Sequence, residues 1–157
     1  MSDATTILVK WTSLLDANNA GQIHGGTVMK LCDEAAGLAA MRHARMPAVT
    51  AAMDRMAFLH PVHLGEVLTL KASVNAAWRT SMEVGVRVEA ENPLTGAQRH
   101  TSSAYFTMVA IDERGKPTEV PPCVAETEQQ LRRQREAQLR RANRLGEHGQ
   151  IMESREQ

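Results

Sequence analysis

Residues 18–45 read NNAGQIHGGTVMKLCDEAAGLAAMRHAR, and this stretch decides the fold. From about Gly26 to His43 nearly every position is small or apolar, which predicts a long helix without a broad polar face. Such a helix must be surrounded by protein, either by a curved sheet or by a sheet on one side and a second subunit on the other. Two adjacent carboxylates, Asp33 and Glu34, interrupt the apolar run near its middle. They are therefore the first candidates for a functional role.

Strand patterns flank the predicted helix. In the run SMEVGVRVEA, apolar and polar residues alternate, which predicts one face toward the core and an outer face with Glu83, Arg87 and Glu89. The sequence predicts one strand before the helix and four after it in an antiparallel meander, at residues 5–15, 48–59, 67–77, 81–90 and 101–112. The expected class is therefore α+β.

Length and composition limit what the chain can be. With 157 residues and a hydrophobic fraction of 43%, it is long enough for one domain with a real core. Its formal net charge of zero argues against a nucleic-acid binder. No apolar run approaches the roughly 20 residues of a membrane span, so we expect no membrane insertion and a cytoplasmic location. Cys32 and Cys123 lack metal spacing and are interpreted as free thiols.

The chain changes character at Cys123. Residues 123–157 are rich in Arg and Glu, which predicts a charged C-terminal helix or tail attached to a domain at residues 1–122. An amphipathic helix resting on the body is favoured over an Arg cluster that contacts phosphate. Residues after about Leu145 are expected to fray.

Four motifs occur in order along the chain: the Gly-Gly helix start, DEAA within the helix, FLHPVHLGE and SMEVGV. With them, roughly residues 8–122 closely resemble the hotdog-fold acyl-CoA thioesterases, most nearly the cytosolic or brain acyl-CoA hydrolases and the YciA-like group. The resemblance implies an antiparallel sheet wrapped around a central long helix, in a homodimer and often a trimer of dimers. It also implies hydrolysis of acyl-CoA to a free fatty acid and coenzyme A, with no cofactor besides the coenzyme A of the substrate.

The helix start and Asp33 are the groups suited to thioester hydrolysis. A helix N-terminus offers unpaired N–H groups, and Gly25 and Gly26 carry no side chain that would block a carbonyl oxygen. Close packing of the loop is the steric alternative. Asp33 is the candidate base, because a carboxylate shielded from water within an apolar helix is more basic. The alternative is a structural carboxylate paired with Arg42, Arg55 or another subunit.

Geometry separates these groups within one chain. Asp33 lies seven residues beyond Gly26, about 10 Å along a helix that rises ~1.5 Å per residue. An Asp side chain cannot span that distance. If both groups act on one thioester, they come from two subunits with antiparallel helices, which is also what the resemblance implies. The loop position that relatives often fill with Asn or Asp is Gln22 here, which can hold water or donate a hydrogen bond but cannot act as a base.

The resemblance also implies a binding segment for coenzyme A. The family holds the pantetheine and the nucleotide at the segment that reads WRTSMEV here. The residues predicted to bind substrate are His24, Arg79, Thr80, Ser81 and Lys116. The alternative for His24 is a packed or exposed loop histidine, and the alternative for the others is a solubilising role at a strand edge.

Other reactive side chains fit less well. His60 and His63 are not spaced for zinc with available partners, so no metal site is expected. Cys32 lies in mid-helix without an obvious His, which favours packing over a nucleophile. A hydratase or dehydratase acting on acyl thioesters is the alternative enzyme, but it would pair Asp with His, and His43 is the one His at helical spacing from Asp33. A non-catalytic acyl-CoA sensor is the third reading.

Overall fold

The computed structural model describes residues 5–156, so the outer bounds of the two predicted domains, residues 1 and 157, lie outside the described part. Neither helix in this range is long and apolar enough to span a membrane. The fold is one six-stranded antiparallel sheet with two helices, which confirms the α+β class. In chain order the elements are β1 (Thr6–Trp11), α1 (Gly25–Ala44), β2 (Ala48–Met53), β3 (Ala57–Phe58), β4 (Val67–Ala77), β5 (Ser81–Glu91), β6 (Gln98–Ala110) and α2 (Glu128–Arg155).

The strand order is β1-β4-β5-β6-β2, and the short β3 also pairs with β6. Strands β4, β5 and β6 form the predicted meander. The predicted position of β2 next to β4 is wrong, because β2 pairs with β6 at the far edge, with Ala48 opposite Ala110. The reason is that α1 carries the chain from β1 at one edge across the face of the sheet to the other edge.

Helix α1 packs against the sheet through small side chains. It begins after His24 and ends at Arg45, whose φ of 58° is left-handed. Small residues on the buried side allow helix and sheet to approach closely. The opposite side carries Met29, Leu38 and Met41, which are 37–41% exposed in the single chain. The buried residues of α1 are Val28, Cys32, Ala35, Ala36, Ala39, Ala40 and Ala44.

Two predicted strands are shorter than expected. The first ends where Thr12 turns to bond Glu66 O through both its N–H (3.1 Å) and its Oγ1 (2.7 Å). The predicted strand at 48–59 is broken into β2 and β3 at residues 54–56. Asp54 N–H still donates to Tyr105 O of β6 at 2.9 Å, and its carboxylate accepts a hydrogen bond from Arg144 of α2. Both interruptions depend on long-range contacts, which a local pattern does not show.

Helix α2 crosses the outer face of the sheet, which confirms an amphipathic helix that rests on the body. Its buried residue is Ala137, and Arg140 binds Glu83 of β5. Glu83 lies on the outer face of the sheet, as predicted, but it is 0% exposed because α2 covers it. Helix α2 continues to Arg155, so the predicted fraying after Leu145 is wrong; no proline interrupts that stretch.

Candidate active site

The loop before α1 is held by its own asparagine. Asn18 Oδ1 accepts hydrogen bonds from the N–H groups of Ala20 (2.9 Å) and Gln22 (3.2 Å), and Asn18 N–H donates to Gln22 O (2.7 Å). Gly21 lies in this turn with a φ of 77°, a conformation that favours glycine. Since its oxygen is occupied, Asn18 keeps its Nδ2 group as the available donor. The side chain of Gln22 is half-buried and bonds to no group within residues 5–156.

Helix α1 starts with His24 as its cap. The ring Nδ1 of His24 accepts a hydrogen bond from Gly26 N–H at 3.0 Å, so the neutral ring carries its proton on Nε2. Gly25 N–H, one of the unpaired donors of the first turn, has no acceptor in the described part of the chain. The ring of Phe58 lies against Gly25, since a Cβ added at Gly25 would be 3.5 Å from Phe58 Cζ. Of the two glycine amides, that of Gly25 is therefore open to a carbonyl oxygen.

Asp33 is hydrogen-bonded to the neighbouring edge strand. Thr50 Oγ1 on β2 donates to Asp33 Oδ1 at 2.5 Å. Within one chain the alternative ion pairs do not form: Arg42 instead donates to Thr6 Oγ1 at 3.1 Å, and among residues 5–156 no ion pair or hydrogen bond joins Arg55 to Asp33. One carboxylate oxygen is thus held by a hydroxyl, and the other stays available as an acceptor.

The surroundings of Asp33 differ from the prediction. Asp33 is exposed, so the expected shielding from water is wrong for the single chain. Met29, Asp33, Gly37 and Met41 are four residues apart and form one stripe along the uncovered side of α1. Glu34 beside it is also exposed and forms no hydrogen bond or ion pair through its side chain among residues 5–156. A surface that covered this stripe would take Asp33 out of water.

The predicted coenzyme A-binding residues lie at two ends of the molecule. Arg79 and Thr80 lie in the turn between β4 and β5, and Ser81 is the first residue of β5. Thr80 O accepts a hydrogen bond from Ala110 N–H at 3.1 Å. Because Ala110 pairs with the first residue of β2, this turn lies where α1 ends. Lys116 is exposed in a turn just after β6. His24, in contrast, lies at the start of α1.

The other reactive candidates are one cysteine and three histidines. Cys32 is fully buried, and this burial, together with the nearby Asp33 charge, raises the pKa of its thiol to about 12. It cannot supply a thiolate at neutral pH, which confirms the packing role. His43 Nε2 lies 2.9 Å from a backbone carbonyl of the segment before α2. His60 and His63 are exposed, and within residues 5–156 no three potential ligands cluster as a metal site would require.

Two site candidates, Asn18 and Thr50, follow from geometry and were missed in the sequence. Asn18 lies in a polar turn, where the available signal was an Asn side chain that can bond amides two and four residues later. Thr50 lies in a strand pattern, and no local signal marks it, because its partner is on another element.

The model of the thioesterase superfamily matches residues 20–97 of this chain. The protein VdlD of Helicobacter pylori is 38% identical over 133 residues, which cover 84% of this chain and 76% of that protein. The chain belongs to the thioesterase superfamily. The predicted enzyme class is thereby confirmed.

Further relatives of this thioesterase carry acyl-CoA in their names. YkhA of Bacillus subtilis, which is named an uncharacterized acyl-CoA thioester hydrolase, is 38% identical over 74% of this chain and 68% of its own. The cytosolic acyl coenzyme A thioester hydrolase of Rattus norvegicus is 38% identical over 75% of this chain, which spans only 32% of that longer protein.

Solved structures confirm the predicted hotdog fold of this thioesterase. An apo-hexameric acyl-CoA thioesterase is 40% identical with a TM-score of 0.88, over 92% of both chains. The acyl-CoA hydrolase of Staphylococcus aureus, in complex with butyryl coenzyme A, coenzyme A and coenzyme A disulfide, is 32% identical with a TM-score of 0.86, over 100% of this chain and 98% of that one. Further structures of the Staphylococcus enzyme carry alanine in place of an asparagine, an aspartate or a threonine at its positions 28, 43 and 60.

Proposed function

We propose that this thioesterase hydrolyses acyl-CoA to a free fatty acid and coenzyme A at a site built from Asn18, Asp33 and Thr50. The hydrogen bond from Thr50 to Asp33 carries the proposal, because it fixes a carboxylate in the middle of an exposed helix face. The names of the relatives support the substrate class.

The spacing of the altered positions in the Staphylococcus enzyme supports the choice of residues. Its asparagine, aspartate and threonine lie 15 and 17 residues apart. Asn18, Asp33 and Thr50 have the same residue types and the same spacing. We therefore assign to Asn18 the loop role that was predicted for Gln22. Gln22 keeps a supporting part through its backbone, which Asn18 holds in place.

In the proposed reaction, Asp33 acts as the general base. Thr50 occupies Oδ1, so the other carboxylate oxygen takes a proton from a water molecule whose oxygen attacks the thioester carbon. The charge that develops on the carbonyl oxygen is stabilised by Gly25 N–H and by Asn18 Nδ2. When the carbon–sulfur bond breaks, the electron pair stays on sulfur, which takes the proton back from Asp33 and leaves as coenzyme A. Gly26 N–H donates to His24 Nδ1, so of the two glycine amides it is Gly25 N–H that remains available to the carbonyl oxygen.

Two subunits form each proposed site. The axial distance of about 10 Å separates Asp33 from the start of its own helix. The exposed stripe of Met29, Asp33, Gly37 and Met41 is suited to a partner helix, because Gly37 permits close approach. With antiparallel α1 helices across a two-fold axis, Asp33 of one subunit meets the helix start of the other. We propose this homodimer as the smallest active unit and, since a similar thioesterase is hexameric, a trimer of dimers.

The same two-fold arrangement explains why the candidates for coenzyme A lie apart. Residues 79–81 and Lys116 lie where α1 ends, and an antiparallel partner brings its His24 toward that end. We propose that these groups hold the phosphates and pantetheine of the substrate. The exposed His24 Nε2–H is a further donor.

The alternative functions have weaker support. A hydratase or dehydratase would pair Asp33 with a His. His43 on the same helix is turned to a backbone carbonyl, and His24 at the start of the other subunit's α1 has its Nδ1 occupied by Gly26 N–H. A non-catalytic acyl-CoA sensor does not need the Thr50–Asp33 bond. We propose that no metal or other cofactor takes part, and that the protein is cytoplasmic, in line with the name of the rat relative.

The decisive experiment removes the base while keeping its shape. Asp33→Asn should lower kcat at least ~10²-fold across a series of short, medium and long acyl-CoA substrates, with coenzyme A release as the readout. Glu34→Gln is the matched control on the adjacent exposed carboxylate and should change kcat less than about twofold. Near-normal turnover of Asp33→Asn would make the carboxylate structural. Wild-type protein that is inactive on the whole series but hydrates enoyl-CoA would favour the alternative enzyme.

Subunit mixing tests the shared site separately. Asp33→Asn and Asn18→Ala should each be weak, but a mixed dimer has one site with both intact groups. Co-expressed mixed dimers should therefore recover a substantial part of wild-type activity. If verified mixed dimers show only the average of the two parents, the site does not cross the subunit interface.

A further inference from the structure

A cavity lies on the other side of the sheet from Asp33, between the outer face and α2. Its volume is about 350 Å³, within the lower range of small-molecule sites. Its floor is made of small residues, Ser73, Gly85 and Ser103, on three adjacent strands. The cavity exists because α2 packs closely only near Ala137 and spans the sheet with long polar side chains elsewhere.

Cations from the sheet and from α2 converge on this cavity. Strands β4 and β5 contribute one cationic side chain each, and α2 contributes three cationic side chains from one side of the helix. The five cationic side chains in its wall are Lys71, Arg87, Arg132, Arg133 and Arg140.

Carboxylates compensate only part of this charge. Lys71 and Arg87 share a single partner, Glu89, at 3.2 and 2.9 Å. Arg140 is paired with Glu83, and Arg132 reaches Glu136 at 3.7 Å. Arg133 is half-buried and has no carboxylate within ion-pair distance among residues 5–156. Five cations therefore face three carboxylates, in a chain whose formal net charge is zero.

We propose that this cavity is a binding site for a phosphate-bearing anion, separate from the acyl-CoA hydrolysis site. Two uncompensated positive charges match the charge of a phosphate monoester near neutral pH. Guanidinium groups bond phosphate oxygens in pairs, and Arg87 and Arg133 approach from opposite walls. The hydroxyl groups of Ser73 and Ser103 on the floor add neutral donors.

Two sources share this chemistry: a free phosphate ester and the nucleotide part of coenzyme A. The probes are inorganic pyrophosphate, adenosine 3′,5′-bisphosphate and coenzyme A, each titrated by calorimetry into the full oligomeric protein at low salt. We expect at least one probe to bind with Kd below about 1 mM. Binding of pyrophosphate would indicate free phosphate esters as ligands, and binding of only the two adenosine compounds would indicate the coenzyme A nucleotide.

Variants assign the binding to this cavity. Arg133→Gln and Arg87→Gln should each weaken the binding about tenfold, as expected for the loss of one charge-assisted hydrogen bond. Arg135→Gln is the matched control. This substitution removes the same charge from α2, but Arg135 is exposed and does not line the cavity. Unchanged thermal unfolding of the three variants shows that α2 stays docked. The proposal is overturned if no probe binds with a Kd below about 1 mM, or if Arg133→Gln and Arg87→Gln weaken binding no more than Arg135→Gln does.

Discussion

Helix α2 is fixed to the sheet by a buried ion pair whose two halves should not be equivalent. Glu83 is fully enclosed between β5 and α2. It accepts three hydrogen bonds from Arg140, at 2.6, 3.0 and 3.2 Å, and one from Asn75 at 3.1 Å. The guanidinium also stacks 3.7 Å from the ring centroid of Tyr105. Arg140 keeps 22% of its side chain exposed, whereas Glu83 keeps none.

This asymmetry sets the expected magnitudes. Arg140→Met keeps the length of the side chain but leaves a buried carboxylate with a single amide donor. The free energy of unfolding should fall by about 3 kcal/mol, the lower end for a broken buried pair, because the gap at Arg140 admits some water. Glu83→Gln keeps the shape and leaves Arg140 near solvent, so its cost should be only about 1 kcal/mol.

The assay is urea denaturation at one fixed protomer concentration, since assembly contributes to apparent stability. The double variant Glu83→Gln with Arg140→Met should be more stable than Arg140→Met alone, because it no longer buries a charge. Arg132→Met is the control on an exposed pair and should cost less than about 0.5 kcal/mol. If Arg140→Met cost no more than Glu83→Gln, the enclosed ion pair would not be what holds α2.

Three further outcomes follow from the structure. Hydrogen bonds from Arg99 hold the pKa of Glu66 below its usual value near 4.5, so the pair stabilises the fold above that pH and loses its effect as pH falls through the lowered value. The urea midpoints of wild type and Arg99→Gln should therefore differ most near pH 7 and converge in strong acid; a difference that grew with acid would contradict this. Cys32→Ala should keep kcat within about twofold, because the thiol is buried with a raised pKa; loss of turnover in a folded variant would revive a thiol nucleophile. Asn18→Ala should lower kcat more than tenfold and Gln22→Ala less than about threefold, measured by coenzyme A release; the reverse order would return the loop role to Gln22.

Local sequence patterns predicted the elements whose conformation depends mainly on residues close to them in the chain. Strand β4 has the predicted bounds, and β5 extends only one residue further, because alternation specifies which face packs on the core. The Gly-Gly start of α1 was predicted to within one residue. In each case the deciding information lies within a few positions of the chain.

Features that depend on distant partners could not be predicted in this way. Glu83 has the position of a solvent-facing residue in its strand, and only the docking of α2 makes it buried. The crossing of β2 to the far edge depends on the path of α1 over the sheet. Thr50 became a site candidate only when that crossing brought it to Asp33. Each of these outcomes requires knowledge of two elements at once.

The exposure of Asp33 is explained in the same way, except that the distant partner is a second subunit. The apolar sequence of α1 predicts a helix covered on all sides, yet one chain leaves Met29, Leu38 and Met41 open. Sequence patterns are selected by the environment of the working assembly, whereas the burial of a single chain counts only its own atoms. Three large apolar side chains beside a carboxylate would be costly to keep in water, and they are explained if a second α1 covers them. The prediction that Asp33 is shielded is therefore wrong for one chain, and it becomes the prediction that the dimer provides the shielding which one chain lacks.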